Sequence, residues 1–443
     1  MMDPKRFVER LPLMAGCPPS LRARLRQEFD RMRESRAHMV SPEMAPNAYF
    51  LMEFLKGVGV FLVGTALREV GKRVYRRVME RMRAEVPGLD TSSLPTLEEA
   101  LEVAELFRGM LEPRPGRKVA PLDGLAMGRV RLTVVPEEMR PLARLALLAN
   151  SSYLEREEVL ELASWLRGEA SAMGADPGDF PLVVGLREVM EARGDPAGDP
   201  RVHAYPEADP ALGALIPYDP GEAAENPSLA ARLLPDFPRL CAAIAHEYLG
   251  HGFVYSSTRY GRIAARLRAE ALSLSGPEGA EAEERLRAFT APLLVVDEGF
   301  ALWMELAILS RLSPLVPRGF VEGERMRHLT PPEDPMGRCS GPHFDRVYGG
   351  PVNPYREGYS MLLDLERTWG KRFVVEAVKM ACSVPDFTEG RSAAEIEFLL
   401  RERPGLCPDV RLSAIRAAAV SRRPGTLSDF RRVAQEALAE VSP

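Results

Sequence analysis

The chain has 443 residues, with 58 basic against 63 acidic side chains and a net charge of -5. So near a balance gives no electrostatic footprint for a nucleic-acid partner, and the length supports two or three structural units with sizeable cores. Five cysteines, Cys17, Cys241, Cys339, Cys382 and Cys407, are scattered, odd in number and never in CxxC spacing, which argues against a disulfide framework and for a reducing, cytoplasmic setting.

Residues 1–120 read as a helical N-terminal region. Leu13 to Cys17 looks like a lipoprotein cleavage box, but Glu9 and Arg10 interrupt the apolar run such a signal needs, so the match is taken as accidental. Tyr49 to Leu67 is apolar, yet its uncharged part after Lys56 is eleven residues long, too short to cross a bilayer. It leads into a basic helix with Arg68, Lys72, Arg73, Arg76, Arg77, Arg81 and Arg83. Such a helix either lies on an anionic membrane or is a core helix with a solvated basic face, and the second reading is preferred. Thr96 with Glu99 predicts a capping box opening a helix through Met110.

Arg129 to Val135, RVRLTVV, is the clearest strand candidate, stopped by Pro136. Two helices follow, the second opened by Ser152 with Glu155 three residues on. Leu182 to Leu186 fits a strand or a helix start equally well. Between Gly194 and Pro238 nine prolines exclude regular helix, and the segment reads as an ordered loop around a site, with Leu212 to Tyr218, LGALIPY, as a short edge strand. His203, alone in that loop, reads as a surface residue.

Arg239 to Tyr255, RLCAAIAHEYLGHGFVY, concentrates metal-binding chemistry. Two of the six histidines, His246 and His251, lie beside Glu247 in an apolar helical segment. Burying two imidazoles and a carboxylate is costly unless a divalent metal engages them. The usual H-E-x-x-H pattern spaces its histidines four apart, on one helix face. Here the spacing is five, which on an ideal helix puts the second ring roughly 140° from the first. A local π-type turn is therefore expected, with Gly250 supplying the unusual dihedrals.

A zinc hydrolase needs a third protein ligand and an open position. Val295 to Leu306, VVDEGFALWMEL, places acids in an apolar helix, with Glu298 and Glu305 on one face, and Glu298 is the chosen ligand. Residues 256–290 are expected to form a helical hairpin turning at Ser275-Gly276-Pro277, which brings the two helices together. Pro354 to Gly370, PYREGYSMLLDLERTWG, opens a further helix. Tyr355 at its start is the candidate oxyanion stabiliser, with Tyr359 and His343 as weaker options. After Gly370, residues 371–443 read as a helical C-terminal region with turns at Pro385, Pro404 and Pro424.

These motifs together resemble the gluzincins, a clan of zinc peptidases. HEYLGHG resembles the HExxGH motif of dipeptidyl peptidase III, while DEGFALWME and PYREGYSMLLDLERTWG are similar to the third-ligand and tyrosine helices of the aminopeptidase branch that includes leukotriene A4 hydrolase. The resemblance covers roughly 239–370. It implies His246, His251 and Glu298 as zinc ligands, Glu247 as general base and Tyr355 as oxyanion stabiliser in peptide-bond hydrolysis. No GxMEN-like segment for a substrate amine is present, and the first 230 residues resemble neither group. The expected architecture is mainly α with a small β-sheet, a gluzincin-like catalytic core over 121–370 flanked by helical regions. The expected partner is a peptide or protein substrate that adds to an edge strand, RVRLTVV or LGALIPY. Two other function classes remain open: a helical interaction protein with a structural metal, and a membrane-associated protease effector using 49–83.

Overall fold

Helix-forming segments occupy most of the chain, and the fold is mainly α with a small β-sheet. The computed structural model describes residues 153–226, 228–313, 315–329 and 339–441, with shorter stretches before residue 150. The chain divides into two compact units, Met1–Glu158 with Ser313–Pro317, and Val159–Leu312 with Arg318–Pro443. Residues 371–443 thus belong to the same unit as the segments around the two histidines.

In the first unit, α1 (Pro46–Val58), α2 (Thr65–Glu85) and α3 (Leu97–Leu111) pack together. Val70, Val74, Val78 and Met82 form the buried stripe of α2 at helical spacing. Phe50 and Phe54 meet Tyr75 edge-on, with ring centroids 5.3 and 6.4 Å away. The basic face of α2 carries exposed Lys72 and Arg76, while Arg81 pairs with Glu53 and Glu85. Among the described residues no helix is long and apolar enough to cross a membrane. The capping box forms as the sequence implies, Thr96 N donating to Glu99 Oε2 at 2.9 Å and Glu99 N to Thr96 Oγ1 at 3.2 Å. Of the RVRLTVV strand, Val130–Arg131 is described, pairing as β2 antiparallel to β1 (Ala126–Met127); residues 129 and 132–135 lie outside the described residues, as does the box at 13–17.

The helix α4 (Arg156–Ala172), in the second unit from Val159 on, opens four residues later than Ser152, which lies outside the described residues; Glu158 Oε2 accepts from Glu155 N at 2.9 Å to cap it. Leu182 to Leu186 is both things its sequence allows: β3 (Leu182–Val184) runs through Gly185 into α5 (Leu186–Ala192). The proline-rich stretch supplies β4 (Glu207–Asp209) and β5 (Gly213–Ile216), giving the sheet order β3-β5-β4, with β5 parallel to β3 and antiparallel to β4. LGALIPY is therefore the central strand and not an edge. All four residues of β5 are buried, and an unbroken apolar run without alternation is what a strand covered on both faces requires. The edge beside the histidine segment is β4.

Next, α6 (Phe237–Ala243) continues as a π-helix over Ile244–His251 and then as α7 (Gly252–Ser257). The hairpin is α8 (Arg259–Ser273) and α9 (Gly276–Thr290), turning at Ser275. It delivers α10 (Leu294–Arg311), almost wholly buried, which packs against the π segment on one side and α13 on the other. The remaining helices are α11 (Arg318–Leu329), α12 (Pro342–Tyr348), α13 (Pro354–Trp369), α14 (Lys371–Ala381), α15 (Ala393–Glu402), α16 (Pro408–Arg422) and α17 (Leu427–Val441). Asn353 caps α13, accepting from Arg356 N at 3.1 Å.

Glycines set how closely these helices approach. Gly250 does not take a positive φ, so dihedral freedom is not its role. A Cβ there would lie 2.5 Å from Ala301 Cα, and the π segment rests on the α10 backbone at this point. Gly299 and Gly358 meet in the same way where α10 crosses α13, and a Cβ on Gly358 would strike the Val295 carbonyl oxygen. Gly250→Ala is expected to destabilise by roughly 1–3 kcal/mol through overpacking against backbone. By contrast Gly168→Ala, at an exposed position of α4 with nothing within 4 Å, should stabilise by about 0.5–1 kcal/mol. Denaturation midpoints of the two variants check this; shifts of the same sign would contradict the close approach at Gly250.

Candidate metal centre

The five-residue spacing is resolved by the backbone. The π-helix over Ile244–His251 closes its bonds from i to i+5 instead of i to i+4, so the two rings turn toward one another with centroids 5.1 Å apart. Both rings are buried. His246 Nε2 lies 3.7 Å and His251 Nε2 3.6 Å from the same atom, Glu298 Oε2 on α10. Donors of one tetrahedral zinc, each about 2.0–2.2 Å from it, stand roughly 3.3–3.5 Å apart, so the triangle fits a cation to within a few tenths of an ångström. Glu298 Oε2 is buried and has no hydrogen-bond partner. A buried carboxylate oxygen left so is costly, and a cation between it and the two rings would satisfy it.

The opposite nitrogen of each ring is tied down. His246 Nδ1 lies 2.9 Å from Glu305 Oε2, and His251 Nδ1 lies 2.7 Å from Asp297 Oδ1. Asp297 also accepts from the Tyr255 hydroxyl at 2.6 Å. Carboxylates that accept from Nδ1–H fix the tautomer and leave Nε2 free to ligate. All three acids come from α10, which shows one face to the π segment.

Burial opposes charge on every group here, but the groups oppose burial together. His251 is desolvated, yet Asp297 and Glu298 raise its pKa to about 9. Glu298 is desolvated too, and His251 and His246 hold its carboxyl down at about 2. Glu298 and Glu305 likewise raise the pKa of His246 against its burial.

A cavity of about 330 Å³ opens beside His246, with Glu247, His328, Tyr355, Tyr205, Arg232 and Arg239 on its walls. Burial raises the Glu247 carboxyl above its ordinary range, partly offset by His246 and His251. Tyr355, in the first turn of α13, stands across the cavity with its ring 6.0 Å from that of His246. Burial, and then nearby Glu298, push its phenol well up, so it stays protonated and able to donate.

Thus His246, His251, Glu298, Glu247 and Tyr355 are gathered at one place. The weaker candidates are not. Tyr359 is buried in α13 and does not line the cavity. His343 lies elsewhere, 2.7 Å from Asp409, which also accepts from Tyr348. His203 is not a surface residue: it is 5% exposed, held between Asp195 at 3.1 Å and Arg193 at 3.3 Å, because the short turns before it fold those charges over the ring.

His328 is the residue that spacing did not announce. It lies near the end of α11, stacks on His246 at 5.6 Å and 13°, and packs 4.8 Å from Tyr355. With His246 and Glu305 it forms a second cluster of donor atoms within 4.8 Å of one another. That cluster is the poorer cation site. The Arg327 guanidinium lies 3.1 Å from His328 Nε2, and since arginine only donates, that lone pair is engaged by a positive group. Burial lowers the His328 pKa to about 4, with help from His246 and Arg327.

No family model, no curated protein and no solved structure matches this chain, so its geometry has to carry the functional reading.

Proposed function

We propose that the protein is a zinc-dependent peptidase of the gluzincin type. The observation that carries this reading is the partnerless, buried Glu298 Oε2 facing two histidine Nε2 atoms whose Nδ1 atoms are both held by carboxylates. Zinc would fit this donor set of two imidazoles and one carboxylate, with His246, His251 and Glu298 as its ligands. When bound, zinc supplies a Lewis acid and acidifies a water.

The chain's own residues do the rest. Glu247, on the cavity wall next to His246, takes a proton from water and returns it to the leaving amine, and its raised pKa suits both halves of that task. Tyr355 donates a hydrogen bond to the oxygen that gains charge as the carbonyl becomes tetrahedral. Neutral His328, packed on Tyr355, narrows where that oxygen can sit. Ala204, Tyr205 and Pro206 line the cavity and lead into β4, whose outer edge has no strand partner among the described residues. An extended peptide adding there would run past Glu247. A structural metal would need a fourth protein ligand, and among the described residues none joins the three.

Glu247→Gln should keep its zinc and lose turnover by about 10²–10⁴-fold; metal analysis beside a peptide-library cleavage assay reads both, and undiminished turnover removes Glu247 from the chemistry. Tyr355→Phe should lower kcat by about 10²–10³-fold with little change in KM. If instead KM rises and kcat holds, the phenol binds substrate and does not stabilise the oxyanion.

The metal-free centre makes a pH prediction whose sign follows from the rings. His251 is raised from its ordinary 6.5 to about 9, so its proton stabilises the folded metal-free chain fully below about pH 6.5, and that contribution is lost as pH rises through 9. A metal must displace this proton, so zinc affinity should rise with pH up to about 9, with proton release on binding. Chelator competition across that range, with calorimetry in buffers of different ionisation enthalpy, measures it. Affinity independent of pH would mean the rings do not carry these protons.

A further inference from the structure

We propose that Arg232 and Arg239 form an anion subsite that selects substrates carrying a carboxylate close to the scissile bond. The proposal rests on the peptidase reading above and names its substrate class.

The cavity wall holds three guanidinium groups, Arg232, Arg239 and Arg327. Arg327 is already engaged, pairing with Glu324 at 2.6 Å and donating to His328. Arg232 and Arg239 make no close ion pair among the described residues, although the charge of Arg239 also acts on the Glu324 carboxyl. Two of the acids on the same walls are paired elsewhere: Glu305 holds His246 and Glu324 holds Arg327, while Glu247 lines the cavity beside His246. Arg232 and Arg239 are therefore the wall cations that a ligand's charge can still engage at close range.

Geometry places that charge along a substrate and not on the reacting carbonyl. Arg239 precedes His246 by seven residues of continuous helix, about 10 Å along the axis at 1.5 Å per residue. An extended peptide covers about 3.3–3.6 Å per residue, so Arg239 reaches a group within roughly three residues of the cleaved bond. Arg232 lies over the exposed face of Tyr205, with its guanidinium carbon 4.2 Å from the ring centroid. Stacking holds the planar fork in place before ligand arrives, which reduces the ordering that binding would otherwise require. Two such forks match carboxylate oxygens as a pair of lysines would not. The carboxylate has two sources, an acidic side chain or the peptide's own C-terminus.

The test uses zinc-loaded full-length protein and labelled peptides in matched sets. One set exchanges Glu for Gln at each of three positions either side of the cleaved bond; the other compares a free C-terminus with an amide. Binding is measured by fluorescence anisotropy on Glu247→Gln, and cleavage on the unsubstituted enzyme. The expected result is a preference of about 10-fold or more for an acidic peptide over its neutral partner, falling toward 1 in the Arg232→Gln/Arg239→Gln chain. Arg239→Glu should turn the preference toward lysine at the same position. Loss of preference on amidation alone assigns the C-terminus, and loss on Glu-to-Gln exchange alone assigns a side chain. Equal binding of acidic and neutral peptides overturns the subsite even where cleavage is brisk, as does a preference that survives both arginine substitutions. Acid-selective binding that depends on both arginines, with no peptide cleaved, upholds the subsite and rejects the peptidase reading instead.

Discussion

The convergence of two imidazoles on one carboxylate oxygen is the constraint that the rest of the second unit serves. On an ideal helix, rings five residues apart diverge, and the π segment at Ile244–His251 exists to bring them back. A widened turn has weaker intrinsic support than an α-helix, and π-turns persist where surrounding structure holds them. Here the support is α10, pressed onto the segment at Gly250 and Ala301. The same helix carries Asp297, Glu298 and Glu305, so one packing contact sets both the shape of the ligand helix and the distance to its acids. Displacing α10 by an ångström would loosen all three contacts together.

That economy extends to the tyrosine. Gly299, one residue after Glu298, meets Gly358 of α13, three residues after Tyr355. Because neither glycine has a side chain, the two backbones touch, and the start of α13 is fixed relative to Glu298. Tyr355 thereby stands opposite His246 without a direct bond to it. The sheet lies beyond the π segment, β4 and β5 both touching it, which places an open strand edge and the cavity wall at Ala204–Pro206 on the same side as Glu247.

Much of this centre was legible from residue type and spacing, for physical reasons that can be named. An acid in an apolar helix must find a partner, which singled out Glu298; a proline in a first turn marked the helix that carries Tyr355; a five-residue histidine interval demanded a wider turn. What escaped depends on tertiary approach. The sequence suggests that Gly250 supplies unusual dihedrals to the wider turn, and its role as a contact point is visible only with Ala301 beside it. LGALIPY was read as an edge, although its lack of polar alternation already favoured a strand covered on both faces. His203 and His328 are single histidines among charged neighbours, and no local pattern separates the one that closes a turn from the one that stacks on His246. Among the described residues of the first unit, Val70, Val74, Val78 and Met82 announce a core face by their helical spacing.

Charge explains why such a centre can fold before any metal arrives. Protonated, His246 and His251 would bring two positive charges to the acids of α10, and those acids raise the pKa of both rings against burial. A divalent cation binding to neutral rings also brings two. The exchange of two protons for one divalent metal would leave the total charge unchanged. What would differ is where the charge sits, on two rings in one case and on a single ion in the other. Asp297 and Glu305, which hold the two Nδ1 atoms, would orient the rings in either state.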